Sequence, residues 1–182
     1  MTERPRFPLT TTTSPVLQVL VRDLIGALAR GREPQAERLV EALGKATTAD
    51  AWLPHERRRA NHERYSRHLI YADPRGQFSL LAIVWAPGQV SPIHNHRTWA
   101  SVAVYQGALT ETTFELHKGK TVPEAIRQDI LNQGTTSFDG TGKGIHQLSN
   151  HGTQNTISLH VYGIGGSQVS TGINRIYNSN KT

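Results

Sequence analysis

The sequence predicts a mainly β protein, an all-β barrel or double-sheet sandwich behind an N-terminal helical segment. Two textures carry this reading. Before residue 64, apolar residues recur at helical spacing between breaks marked by Pro and Gly. From Tyr65 onward, short β-branched and aromatic segments alternate with Gly, Pro and Asn turns. A chain of 182 residues supports one domain with its own core, and it shows no internal repeat.

Residues 1–13, rich in Pro and Thr, read as a flexible arm. Arg4 and Arg6 have no apolar stretch behind them, so no secretory leader is expected. Residues 14–64 read as a helical prefix that packs on the barrel through a Leu/Val stripe. Ser14-Pro15 supplies an N-cap and a first-turn proline. Val16, Leu17, Leu20, Leu24 and Leu28 then recur at helical spacing until Gly31. A second helix starts near Pro34, with Leu39, Val40 and Leu43 as its apolar face and Gly44 as its stop. A third, basic helix is expected over 54–63. Strands are expected over 66–71, 78–86, 101–106, 108–117, 126–131, 135–138, 145–149 and 156–162. Asp73-Pro74-Arg75-Gly76 makes a turn between the first two. Residues 65–182 then form a small closed barrel whose interior holds a ligand.

Composition narrows the function. No apolar run approaches the roughly 18 residues of a membrane span, and cytoplasmic residence is the default expectation. The chain has no cysteine, which excludes disulfides and thiolate metal sites; a metal must be held by His, Asp or Glu. The net charge of +6 invites a nucleic-acid reading. Yet Glu56 and Glu63 interrupt the basic run around Arg57-Arg58-Arg59, and no nucleic-acid motif accompanies it. A solvated face, or a positive field that attracts small carboxylates, fits better.

The densest chemistry lies in Gly88-Gln89-Val90-Ser91-Pro92-Ile93-His94-Asn95-His96, followed by Gly107 and later by His146. On an extended strand, His-x-His puts both imidazoles on one face, where they can grip one metal ion. A third histidine after a Gly-rich turn completes a set of neutral nitrogen ligands. Such a set leaves the metal charge unquenched and positions open for an anionic substrate and oxygen. Ser158, His160 and Tyr162, spaced by two, also share one strand face and project inward together. A buried tyrosine hydroxyl needs a polar partner, and its proton can serve acid–base work. His55, His62, His117 and His151 lack ligand spacing and read as surface residues. His68 points away from the face of Arg67.

Gly88-x5-His94-x-His96-x10-Gly107 resembles the first sequence motif of the cupins, whose fold is a jelly-roll β-barrel. Residues 134–150 resemble the second motif, including Gly142, His146 and Asn150, with Gly140 in place of the usual proline and one extra residue before the histidine. Where cupins usually carry a metal-binding Glu, this chain has Ala100 and Ser101. That departure argues against the oxalate-oxidising cupins and for a three-histidine site.

Further elements make residues 65–162 resemble the cysteine dioxygenase family of thiol dioxygenases. They are Tyr65-Ser66-Arg67, Trp85 before Gly88 and His94-Asn95-His96, then His146, and finally Ser158-x-His160-x-Tyr162. The resemblance implies Fe(II) held by His94, His96 and His146, with a substrate carboxylate bound by Arg67 beside Tyr65. It implies a Ser158–His160–Tyr162 relay beside the metal, and conversion of a small thiol and O2 to a sulfinic acid without external reductant. L-Cysteine is the leading substrate because Arg67 is present; a planar guanidinium matches a carboxylate at two points. A branch specialised for 3-mercaptopropionate has Gln there and uses a later arginine, near where Arg175 falls, and shares Trp99 with this chain. Two arginines, Arg67 and Arg175, would accommodate mercaptosuccinate. Animal members cross-link a cysteine near Ala100 or Ser101 to the relay tyrosine; here no thioether can form. Two other readings stay open: a three-histidine dioxygenase that cleaves carbon bonds, and a non-catalytic metal-binding cupin sensor. The oligomeric state is not legible in the chain.

Overall fold

The computed structural model describes residues 14–28, 34–49, 51–169 and 173–178. The expected arm over 1–13 and the expected helix end at Gly31 lie outside these residues. Within these residues the chain forms two helices, α1 (Pro15–Leu28) and α2 (Ala36–Thr48), then ten strands. These are β1 (Ser66–Ala72), β2 (Ser79–Trp85), β3 (His94–His96), β4 (Ala100–Gln106), β5 (Ala108–Glu115), β6 (Glu124–Asn132), β7 (Thr136–Asp139), β8 (Ile145–Ser149), β9 (Thr156–Tyr162) and β10 (Asn174–Ile176). No helix among the described residues is long and apolar enough to cross a membrane.

The helices start where the local chemistry directs. The Ser14 hydroxyl accepts the Val16 N–H at 3.2 Å, the expected N-cap of α1. Gly44 does not stop the second helix. α2 runs on through Ala46 and Thr47, both buried, because that packing outweighs the roughly 1 kcal/mol a mid-helix glycine costs. The expected third helix is absent. Between residues 54 and 63 only His55–Arg57 make a single 3-10 turn, since no apolar residues recur there at helical spacing to bury a face.

The strands form two antiparallel five-stranded sheets, ordered β1-β2-β9-β4-β7 and β10-β3-β8-β5-β6. Their facing sides enclose Ile83, Trp85, Val102, Val104, Leu109, Leu131 and Leu148. The outer face of the first sheet is covered by the helices, where Leu20, Leu24, Leu39 and Leu43 pack in one cluster with Leu80, Ala82, Val84, Leu159 and Val161. This third layer explains why every residue of β2 and of β9 is buried. β3 and β10, three residues each and largely polar, carry no strand pattern that a sequence scan would find.

Two glycines are required by the packing. Gly107 has φ +80°, and a Cβ there would lie 2.7 Å from the Thr156 hydroxyl. Gly142 has φ +67° and would drive a Cβ to 2.5 Å from the Thr98 carbonyl oxygen and 2.9 Å from that of His96. The turn before β8 can therefore lie directly against the backbone of the His94–His96 segment. Asn150 ties the ends of the two histidine-bearing stretches together. Its Nδ2 donates to the carbonyls of Trp85 and Gln154 at 2.9 Å each, and its Oδ1 accepts the Gly152 N–H at 3.0 Å. Its backbone N–H donates to Gln89 and its carbonyl accepts from Gly88. Asn150 is fully buried, so Asn150→Ala is expected to cost about 3 kcal/mol in urea unfolding, because buried partners are left unpaired. A loss below about 0.5 kcal/mol, that of an ordinary surface change, would contradict this assignment.

Candidate metal centre and its cavity

β3 places His94 and His96 on one face, separated by the outward Asn95, as the period of a strand requires. β8 lies antiparallel to β3 with His146 directly opposite His94. One potential ligand atom from each of the three imidazoles lies within 4.8 Å of the others. The flanking bonds select the tautomers. His94 Nδ1 sits 2.8 Å from the Pro92 carbonyl and His146 Nδ1 sits 2.6 Å from Glu111 Oε1. Each Nδ1–H therefore donates outward, leaving Nε2 with its lone pair for a cation. Among the described residues, His146 Nε2 and His96 Nδ1 are buried without any hydrogen-bond partner. Orphaned buried nitrogens are rare in folded proteins, and here they belong to a group whose chemistry fits a divalent metal.

Electrostatics agree with ligand duty. Burial, reinforced by His146, lowers His94 to about 4. Burial, with His146 and then His94, lowers His96 to about 3. Both rings are thus neutral at pH 7. The acidic residue nearest the triad by hydrogen bonding is Glu111, which touches His146 from behind. Of the two residues where a cupin glutamate is expected, Ala100 offers no ligand atom, and Ser101 donates its hydroxyl to the Ser137 carbonyl.

The small cavity over the triad is lined in part by Tyr65, Arg67, Trp85, His160, Tyr162 and Asn174. Arg67 on β1 lies opposite Ile83 of the inner face. It is solvent-exposed, and its Nη2 donates to the Val169 carbonyl at 3.4 Å, which sets it at the cavity mouth. Tyr65 packs on Trp85 with ring centroids 4.6 Å apart. Ala100 lies directly opposite Tyr162 on the neighbouring strand.

Ser158, His160 and Tyr162 form one buried hydrogen-bonded row. Ser158 Oγ lies 2.8 Å from His160 Nε2, and Tyr162 Oη lies 3.1 Å from His160 Nδ1. Trp85 extends the row, its Nε1–H donating to Ser158 Oγ at 2.9 Å. Indole is only a donor, and among the described residues the fully buried Ser158 hydroxyl has one further partner, His160 Nε2. Pairing the buried hydroxyl proton therefore sends it to that nitrogen. Burial, followed by the field of His96, holds His160 well below its usual pKa. The neutral ring then carries its proton on Nδ1 and donates it to the Tyr162 oxygen. The Tyr162 proton is left free to point into the cavity. Burial also raises the phenol's pKa, so that proton stays in place.

Arg175 is not part of this assembly. It pairs with Asn95 across β10 and β3 and so shares the outward face. Its guanidinium lies 5.4 Å from the Tyr177 ring, beside a surface depression with Arg97 and Lys143. Its neighbour Asn174 takes the inward place opposite His96. His55, His62, His117 and His151 are exposed and lie outside the cavity, and His68 faces the helices, opposite Ala82. Three contributors escaped the sequence reading. Glu111 was detectable as an acid alternating with Leu109 and Thr113 on the strand after Gly107. Asp139 accepts the N–H groups of Thr141, Gly142 and Gly144 and shapes the turn that leads to His146. Asn174 has no local signal.

A family model for cysteine dioxygenase type I matches residues 9–171. The chain is 29% identical over 103 residues to cysteine dioxygenase type 1 of Danio rerio, covering 54% of this chain and 51% of that protein. It is 31% identical over 103 residues to that of Bos taurus, covering 54% and 50%. The chain thus spans about half the length of the curated relatives it matches. Among solved structures it resembles a Klebsiella pneumoniae protein with a double-stranded β-helix domain. The TM-score is 0.50 at 15% identity, over 72% of this chain and 99% of the other; this likeness concerns the fold alone.

The triad makes two predictions. Glu111→Ala is expected to weaken divalent-metal affinity by about 10–100-fold, read by competition titration with a chromophoric chelator; unchanged affinity would remove Glu111 from ligand support. The pH dependence follows from the depressed imidazoles. Unfolded histidines titrate near 6.5, whereas His94 and His96 in the fold take up protons only near 4 and 3. The unfolded state binds more protons within that window. Metal-free protein should therefore keep its full stability above about pH 6.5 and lose it as the pH falls toward 4. A melting temperature that stays flat over this range would contradict the assignment.

Proposed function

The chain belongs to the cysteine dioxygenase type I family, and on that premise we propose that it is an iron-dependent thiol dioxygenase acting on a small thiol carboxylate, foremost L-cysteine. The observation that carries the reading is the convergence of three imidazoles, one guanidinium and one proton-bearing phenol on a single cavity. The overall change is a thiol plus O2 giving a sulfinic acid. The thiol sulfur gains both oxygen atoms, O2 is fully reduced, and no further reductant is needed. Iron(II), held by His94, His96 and His146, supplies the open coordination positions and the redox chemistry toward O2 that no side chain offers.

The remaining steps belong to the chain. Arg67 at the mouth binds the substrate carboxylate through a two-point contact, and Tyr65, braced on Trp85, walls the same end. That contact turns the sulfur inward toward the imidazoles. Tyr162, polarised by the Trp85–Ser158–His160 row, donates a hydrogen bond from its phenol into the space where the sulfur and oxygen meet. The apolar wall of Ile83 and Leu148 limits water there. The outward placement of Arg175 removes the second cation a dicarboxylate would need, which supports a monocarboxylate substrate.

Anaerobic iron loading followed by oxygen-uptake assays tests the proposal. Cysteine is expected to consume one O2 per sulfinate formed. Uptake with none of cysteine, 3-mercaptopropionate and mercaptosuccinate would overturn the enzymatic reading in favour of a binding role. Tyr162→Phe is expected to lower kcat by about 10²–10⁴-fold while metal content is unchanged. Arg67→Ala is expected to raise KM by about tenfold or more, since a charged hydrogen bond is lost; an unaltered KM would remove Arg67 from the substrate site.

A further inference from the structure

One polar group of the cavity has no task in the scheme above. Asn174 lies opposite His96 across the β10–β3 pair, and directly opposed residues project to the same face. Its side chain accordingly lines the cavity beside the imidazoles and Tyr162. Among the described residues its Oδ1 is buried without a hydrogen-bond partner, a state that folded proteins rarely leave uncompensated. The neighbouring buried hydroxyl, indole and imidazole groups of Ser91 and of the Trp85 row are already committed. The Ser91 hydroxyl donates to the Pro92 carbonyl and accepts the Leu148 N–H. Trp85, Ser158, His160 and Tyr162 are joined in their own chain. Nor does any carboxylate line the cavity. An amino group entering it meets the Arg67 cation at the mouth and, among the described residues, two acceptors without a partner, the Tyr65 hydroxyl and Asn174 Oδ1, of which Asn174 Oδ1 is the buried one.

We propose that Asn174 determines specificity by accepting a hydrogen bond from the amino group of an α-amino thiol acid whose carboxylate rests on Arg67. This rests on the dioxygenase reading for its substrate class and adds the group that tells cysteine from its des-amino analogue. A site that hydrogen-bonds a substrate N–H disfavours the analogue lacking it, because the buried acceptor then goes unpaired.

The test compares L-cysteine with 3-mercaptopropionate on the full iron-loaded chain. Anaerobic titration calorimetry gives binding, and oxygen uptake gives kcat/KM. The wild type is expected to prefer cysteine. Asn174→Leu should lose roughly tenfold in both cysteine measures, as one such hydrogen bond is worth, with 3-mercaptopropionate changed less than about twofold. Asn174→Asp, which keeps an acceptor oxygen, should retain the preference. Asn174→Ala repeats the comparison without added bulk where Leu disturbs the fold. Equal losses for both thiols, no change for either, or a wild-type preference for 3-mercaptopropionate would overturn the inference. Binding of both thiols without oxygen uptake would instead overturn the dioxygenase reading and leave the binding ratio to judge Asn174.

Discussion

Three imidazoles packed inside a barrel within 4.8 Å of one another cannot all carry charge. Removal from water penalises the imidazolium form, and each neighbouring ring adds to the penalty; hence the depressed values of His94 and His96. The fold therefore delivers His94 and His96 as neutral nitrogen donors at pH 7. Much else in the molecule serves that constraint. Gly142 lets the turn before β8 lie against the His96 backbone. Asp139 shapes that turn, and Asn150 joins the two histidine-bearing stretches from the far end. Glu111 and the Pro92 carbonyl occupy the outer nitrogens, so that the inner ones face one another.

The second organised feature is a direction. A row of Ser, His and Tyr can be hydrogen-bonded either way, and the two ways have opposite consequences for the phenol. The ambiguity ends at Ser158: its Oγ accepts the Trp85 indole N–H, and His160 Nε2 is the one described acceptor left for its buried proton, so each following proton moves one place along. Trp85 thus acts on the cavity without facing the imidazoles through its N–H. The helical layer contributes at a distance. By covering the outer face of β2 and β9 it keeps both strands in a dry, two-sided core, which is what makes the buried row cohere.

Several features were legible from residues 65–162 alone. Alternation placed His94 with His96, and Ser158 with His160 and Tyr162, because strand period is a property of the backbone. The strands over 145–149 and 156–162 were located to the residue, being bounded by Gly, Asn and Thr turns. Helices were less well read. Gly44 and the basic stretch after Pro54 were judged on local propensity, and tertiary burial decided otherwise in the first case. In the second, propensity without an apolar face had nothing to pack against.

From the sequence alone came the ligand types, the shared faces within each strand, the absence of a thiolate or a cross-linking cysteine, and the family. The tertiary structure decided which strands meet and in what register: His146 opposite His94, Glu111 behind His146, Trp85 under Ser158, and Asn174 rather than Arg175 opposite His96. The reason is geometric. Neighbouring strand positions face opposite sides, so a shift of one residue exchanges inside for outside. No local pattern in Asn174-Arg175-Ile176 fixes that choice; only pairing with a strand some eighty residues earlier does.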